Sequence, residues 1–261
     1  METSTATTSL PTTEKPYEFS SYGQRLFVAG ILILVFISGV FGNGLVIFAV
    51  FLSRRLRNVT NIFVVNLAIA DLLACAFLPA TIMALSGPDG WPFGTDVYCT
   101  SAALIIYVTI GVSLYTLAAI ALNRCILITQ SVERYQKIYG KKYMLVGMTI
   151  FLWVLPASLV CIPVSMGLNK LGYNKVYHSC TDTVSAEQGD SAEKIYDMVL
   201  AVGLFPLPTI ILLVSYWKIY KHVLMHSQKL QANQEESEAL SMTADSTKPT
   251  PFGDKSYNSN G

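Results

Sequence analysis

Charge is what this sequence has least of: only 13% of its 261 residues are Asp, Glu, Lys or Arg, against 52% hydrophobic. Residues 26–52, 97–123, 143–169 and 198–217 contain none of the four. So little charge excludes an ordinary soluble domain, in which about a quarter of the residues are charged. Each uncharged stretch is long enough to cross a bilayer core of about 30 Å. Residues 62–87 are equally apolar except for Asp71, an acid near the expected bilayer midplane, where a carboxylate is functional by default. The fold class that follows is all-α, an integral-membrane helical bundle with spans at about residues 26–52, 62–87, 97–124, 143–167 and 195–221.

Other absences narrow the function. Balanced charge, with a net value of +1, argues against nucleic acid as a partner, because a duplex requires a concentrated basic face. No internal repeat marks a transporter built by duplication, and a single acid in the spans gives a channel little to work with. Clustered His or Cys ligands of the metal-site type are missing, so no enzyme is expected and no catalytic residue is assigned. Residues 1–20 are polar and lack the apolar core of a cleavable signal, so the first span is expected to direct insertion itself. The sole Asn-x-Ser/Thr sequon, Asn58-Val59-Thr60, falls in a cytosolic loop and should carry no glycan. Ser/Thr-linked glycans on the N-terminal segment are compatible with its composition.

What charge there is sets the orientation. Arg54, Arg55 and Arg57 lie between the first two spans, and Arg134, Lys137, Lys141 and Lys142 between the third and fourth; both loops should face the cytosol. The N-terminus and the loop of residues 170–194 then lie outside, and the tail beginning near Lys218 and Lys221 lies inside. Lys170, Lys175 and Lys194 weaken the asymmetry without reversing it. Residues 1–25 read as a disordered extracellular segment and residues 226–261 as a disordered cytosolic tail, too polar for another span. Five helices are therefore what these residues are expected to supply. Cys75 and Cys161 fall in spans and Cys125 at a cytosolic end, whereas Cys99 and Cys180 both fall on the oxidising side. A Cys99–Cys180 disulfide is expected, the alternative being two free thiols. Pro79, Pro163 and Pro208 each remove a backbone donor and should kink their spans.

Several short motifs occur in order along these spans: Gly42-Asn43, Asn66-Leu67-Ala68-Ile69-Ala70-Asp71, Trp91-Pro92-Phe93-Gly94, Cys99, Asn123-Arg124-Cys125, Trp153, Pro208 and Tyr216. Together they resemble the rhodopsin-like (class A) G-protein-coupled receptors from the first span to the fifth, without counterparts of the sixth and seventh helices. Cys99 and Arg124 stand 25 residues apart, about 37 Å along a helix, so one helix reaches from the external disulfide to the cytosol. Ile106, Ile110, Ser113, Leu117 and Arg124 share a face of it. The resemblance implies that Arg124 meets the G protein, with Tyr216 approaching it; the bland alternative is an arginine snorkelling at the membrane boundary. Asn123 stands where the family usually has an acid, so the local ion pair that restrains the arginine is missing, and restraint is weaker or supplied otherwise. Asp71 resembles the acid that holds a sodium ion, with Ser113 and Asn43 nearby; the alternative is an Asp hydrogen-bonded to Asn43 and kept neutral by burial.

The ligand pocket implied by the family is lined here by Ile106, Tyr107, Ile110, Leu200, Ala201, Leu204 and Phe205. Ile106 occupies the position at which amine receptors carry an Asp. A small apolar, aromatic or lipid-like ligand suits such a lining, although plain helix packing explains any one of these residues equally well. Leu56-Arg57-Asn58, Asn61-Ile62-Phe63-Val64-Val65, Ala121-Leu122-Asn123-Arg124 and Tyr177-His178-Ser179-Cys180 are similar to melatonin receptors and their invertebrate relatives. Pro163 and Val184 stand where melatonin receptors place an Asn and a Gln, so melatonin itself is not the expected ligand.

Two functions follow. One is a receptor that couples an extracellular ligand to a heterotrimeric G protein at the plasma membrane, signalling-deficient if the chain is confined to five spans. The other is a five-helix interaction partner that retains or silences full-length receptors, with retention in the endoplasmic reticulum. Beyond membrane lipids, that small ligand, a G protein and such receptors, no partner is implied, and no cofactor beyond the sodium ion.

Overall fold

The computed structural model describes residues 21–56, 58–88, 90–168, 170–183, 198 and 200–246, with side chains followed as far as 235. Expectations for residues 1–20 and 247–261, for Arg57, Val184 and Lys194, lie outside these. Among the described residues, five helices are long and apolar enough to cross a membrane. They are α1 (Tyr22–Leu52), α2 (Val59–Ser86), α3 (Val97–Thr129), α5 (Lys142–Ser165) and α6 (Pro206–Ser246), with a short α4 (Val132–Tyr139) between α3 and α5. Residues 200–204 are helical ahead of α6 and are separated from it by a turn at Phe205.

Small residues decide how the spans meet. The fully buried positions of α2 and α3 include Ala68, Ala70, Ala80, Ala84, Ala102, Ala103 and Ala121, which let backbones approach where lipid supplies no hydrophobic driving force between helices. Large apolar side chains such as Phe41, Phe48, Phe151 and Leu213 point outward, as the same physics requires of a lipid-facing wall. α3 is the hub, packing against α2, α5, α6 and the external hairpin. At Gly111 the approach is close: a Cβ there would lie 2.6 Å from Cβ of Pro156 and 2.8 Å from Cδ2 of Leu204.

Local chemistry sets the boundaries. Oδ1 of Asn58 accepts from the Asn61 amide at 2.9 Å and starts α2 as an N-cap, while the Asn61 side chain donates to the Leu56 carbonyl at 2.6 Å. The Leu56-to-Asn61 motif is thus a loop-to-helix clasp. Pro79 sits inside α2, and both Pro156 and Pro163 inside α5; Pro156 did not stand out in the sequence, yet it is fully buried. In the fifth span Pro208 is buried and Pro206, at the turn, is exposed.

Two features differ from the sequence reading. The external loop folds into a hairpin, β1 (Leu171–Asn174) with β2 (Ser179–Asp182), antiparallel with Tyr173 opposite Cys180. Its turn is organised by Oδ1 of Asn174, which accepts from the amides of Val176 and Tyr177 at 2.8 and 3.3 Å. The second concerns residues 226–246, read from the sequence as part of a tail: α6 continues through them. This stretch contains no Gly or Pro, and Gln, Glu and Ala make up nine of its 21 residues, strong helix formers that extend a helix already nucleated in the membrane.

Candidate functional site

The described chemistry is strung along α3. At its external end Cys99 is bonded to Cys180 of β2, the expected pair. Beside it the Thr100 hydroxyl donates to the Leu171 carbonyl at 3.1 Å, and the Tyr107 and Thr181 hydroxyls bond at 2.8 Å. Trp91 of the external loop stacks on Tyr173 and Tyr98. The hairpin is thereby held over the mouth of the bundle. From the other side Arg25 of α1, 7% exposed, donates through Nη1 to the Gly87 carbonyl and meets Nδ1 of His178, each at 3.2 Å. Tyr173 meets the same Nδ1 at 2.9 Å. Burial, and then the Arg25 cation, hold the His178 imidazole below its ordinary pKa. His178, whose ring meets Arg25, takes a left-handed backbone conformation, φ 46°.

At mid-membrane Oγ of Ser113 donates to Oδ1 of Asp71 at 2.8 Å. Asn43 does not join them: its amide turns back to the Gly39 carbonyl of its own helix at 3.0 Å. Asp71 and Ser113 together present three side-chain oxygens at this level, against the six or so that a hard cation takes. One turn further, buried Asn66 donates to Oγ1 of Thr116 at 2.9 Å and accepts from Nε1 of Trp153 at 2.8 Å. A single amide so ties α2, α3 and α5. The Tyr115 hydroxyl reaches the Gly203 carbonyl at 2.7 Å, close to the turn at Phe205 that precedes α6.

At the cytosolic end neighbouring residues have opposite fates. Asn123 is completely buried and Arg124 is exposed. Oδ1 of Asn123 accepts from the Thr60 hydroxyl at 2.8 Å, and its Nδ2 donates to the Tyr135 hydroxyl at 3.4 Å. Burial pushes the Tyr139 phenol above its usual pKa, while the polar Asn123 side chain pulls the other way. The sequence shows no acid beside Arg124; the structure shows the amide engaging α2 and α4 instead. Tyr216 is 44% exposed, and no hydrogen bond joins it to Arg124 among the described residues.

The seven predicted pocket residues are only partly gathered. Tyr107 engages the hairpin, Leu204 is buried at the Gly111 crossing, Ile106 and Leu200 are partly buried, and Ile110, Ala201 and Phe205 are exposed. Four clefts elsewhere in the bundle are lined by none of them. The residues that the sequence reading missed, Arg25, Thr60, Tyr115, Thr116 and Tyr135, are polar groups at helix-crossing points. Only the Tyr135–Tyr139 spacing, one helical turn, carried a signal in the sequence.

Comparison with known proteins bears on these contacts. Residues 42–245 match the family described as "7 transmembrane receptor (rhodopsin family)". The chain is 33% identical over 199 residues to melatonin receptor type 1B-A of Danio rerio, covering 76% of this chain and 66% of that protein. It is 34% identical over 213 residues to protein trapped in endoderm-1 of Drosophila melanogaster, covering 80% and 52%. The chain thus spans about half to two-thirds of the length of these relatives. Squid rhodopsin superposes with a TM-score of 0.68 at 21% identity, over 82% of this chain and 57% of its own, a likeness of fold.

Proposed function

Because the chain belongs to the rhodopsin family of seven-transmembrane receptors, we propose that it acts as a receptor component, carrying an extracellular ligand signal along α3 towards a heterotrimeric G protein. The observation that supports this most is the asymmetry of α3: its external end is clamped by the Cys99–Cys180 disulfide, while at its cytosolic end Arg124 projects beside an anchored Asn123. A guanidinium there stays charged and offers a fixed fork of donors to an incoming partner. The ligand class this reading favours is small and apolar, aromatic or lipid-like, since Ile106 offers no counter-ion to an amine. The plasma membrane is the proposed site of action.

In this reading the 261-residue polypeptide alone does not drive nucleotide exchange. Fusing residues 21–235 to the last two spans of the Danio rerio melatonin receptor should yield exchange in a reconstituted G-protein assay, and Arg124→Ala should abolish it. Exchange by the 261-residue chain alone, or a fusion indifferent to Arg124→Ala, would sink the proposal.

A second reading is supported by the apolar faces of α1 and α6, where Phe27, Leu34, Tyr216 and Tyr220 are exposed. Five spans with such faces can associate with a full-length receptor and retain it in the endoplasmic reticulum, helix packing being the driving force. Co-expression that leaves the surface level of a full-length relative unchanged would count against it.

A further inference from the structure

Two adjoining clefts lie between the cytosolic end of α3 and α6. The larger, about 830 Å³, is lined by Thr129, Gln130, Leu213, Val214, Trp217, Lys218, Lys221, His222 and Met225. The second, about 440 Å³, shares Thr129, Gln130, Val214 and Lys218 with it and extends to Arg134 of α4. Neither is lined by Arg124 or Tyr216, so both open on a different face from the residues assigned to G-protein coupling. Along α6 the stripe Val214, Lys218, Lys221 and Met225 recurs at three- and four-residue steps.

The lining is graded by depth. Leu213 and Val214 form an apolar wall towards the membrane interior, Trp217 follows at the level where indole rings settle among headgroups, and Lys218, Lys221 and His222 stand at the rim. Nζ of Lys221 sits 4.8 Å from the centre of the Trp217 ring, which fixes the ammonium at that level. No acid lines either cleft, and the side chain of Arg134 is bonded to Gln130 at their junction. Cations above an apolar wall, on the cytosolic side, match the profile of an acidic lipid in the leaflet that carries anionic headgroups.

We propose that this groove binds an anionic glycerophospholipid of the cytosolic leaflet, its phosphate on Lys218 and Lys221 and an acyl chain along Leu213 and Val214. Lys218 and Lys221 are exposed, so their replacement leaves the bundle packing intact. Each lysine near an anionic membrane surface contributes roughly a fivefold change in affinity, so the pair amounts to about 25-fold.

The test is native mass spectrometry of the purified 261-residue chain released from bilayers of mixed phosphatidylserine and phosphatidylcholine. Phosphatidylserine should be retained in preference to phosphatidylcholine, and Lys218→Gln/Lys221→Gln should remove the preference. Lys141→Gln/Lys142→Gln, which deletes the same charge from another cytosolic site, should not. Equal retention of the two lipids, or equal loss in the two double variants, overturns the proposal. Displacement of the lipid by excess inorganic phosphate overturns it as well, by showing a bare anion site.

Discussion

The Thr60 hydroxyl donates to Oδ1 of Asn123 at 2.8 Å, so the residue preceding Arg124 is held by α2 and not by the arginine. An acid at this position could pair with Arg124; an amide has no charge to offer it and spends its acceptor on α2 and its donor on the Tyr135 hydroxyl. The arginine is thereby left facing outward at the end of a helix that is itself pinned.

Asn123→Ala should lower stability by about 2 kcal/mol, because the side chain is fully buried and its loss leaves the Thr60 hydroxyl without its acceptor. Asn123→Asp keeps that acceptor and should be milder. Thermal unfolding in detergent micelles measures both. An alanine variant as stable as the parent would show that the contact contributes nothing.

Trp153→Phe keeps an aromatic side chain at the crossing but removes the donor to Asn66. With the Asn66 oxygen left unpaired in a low-dielectric interior, a cost of about 1–3 kcal/mol is expected. A Trp153→Phe variant that melts with the parent would show that this hydrogen bond contributes nothing.

Gly111→Ala should be destabilising by about 1–3 kcal/mol through overpacking, since its Cβ would meet Pro156 and Leu204. Gly147 has nothing within 4 Å of an added Cβ, and Gly147→Ala should be neutral or slightly stabilising in a helix. Equal melting shifts for the two variants would contradict the crossing point.

The hairpin clasp should weaken in acid. The folded His178 pKa lies below its ordinary value, so the unfolded chain binds the proton more readily, and stability rises with pH across the interval between the two values. The contribution is complete above about pH 6.5, the unfolded value, and is lost as pH falls through the lower folded value. Melting temperature plotted against pH should drop on this limb, and His178→Gln should flatten it. A limb that persists in the variant would assign the effect to another group.

The spans, their orientation and the Cys99–Cys180 pairing were legible in the sequence because each rests on a one-dimensional rule. Charge is excluded from a bilayer core, basic residues collect on the cytosolic side, and thiols pair where oxidation is permitted. The hairpin was not legible, since four-residue strands around an Asn turn leave little periodic signal, and the helix to Ser246 was hidden by a polarity that resembles a tail. The central acid was found in the sequence, but its partner was settled by geometry: Ser113 reaches Asp71 and Asn43 does not.

The sequence by itself therefore determined where this chain meets lipid and water, because transfer free energy depends on local composition. Only the tertiary structure decided which polar groups meet: Asn66 with Trp153, Asn123 with Thr60, Arg25 with His178. A buried polar group must find a partner in a medium that offers no water, but the identity of that partner is set by how helices cross, and residues far apart in sequence record that crossing only once folded.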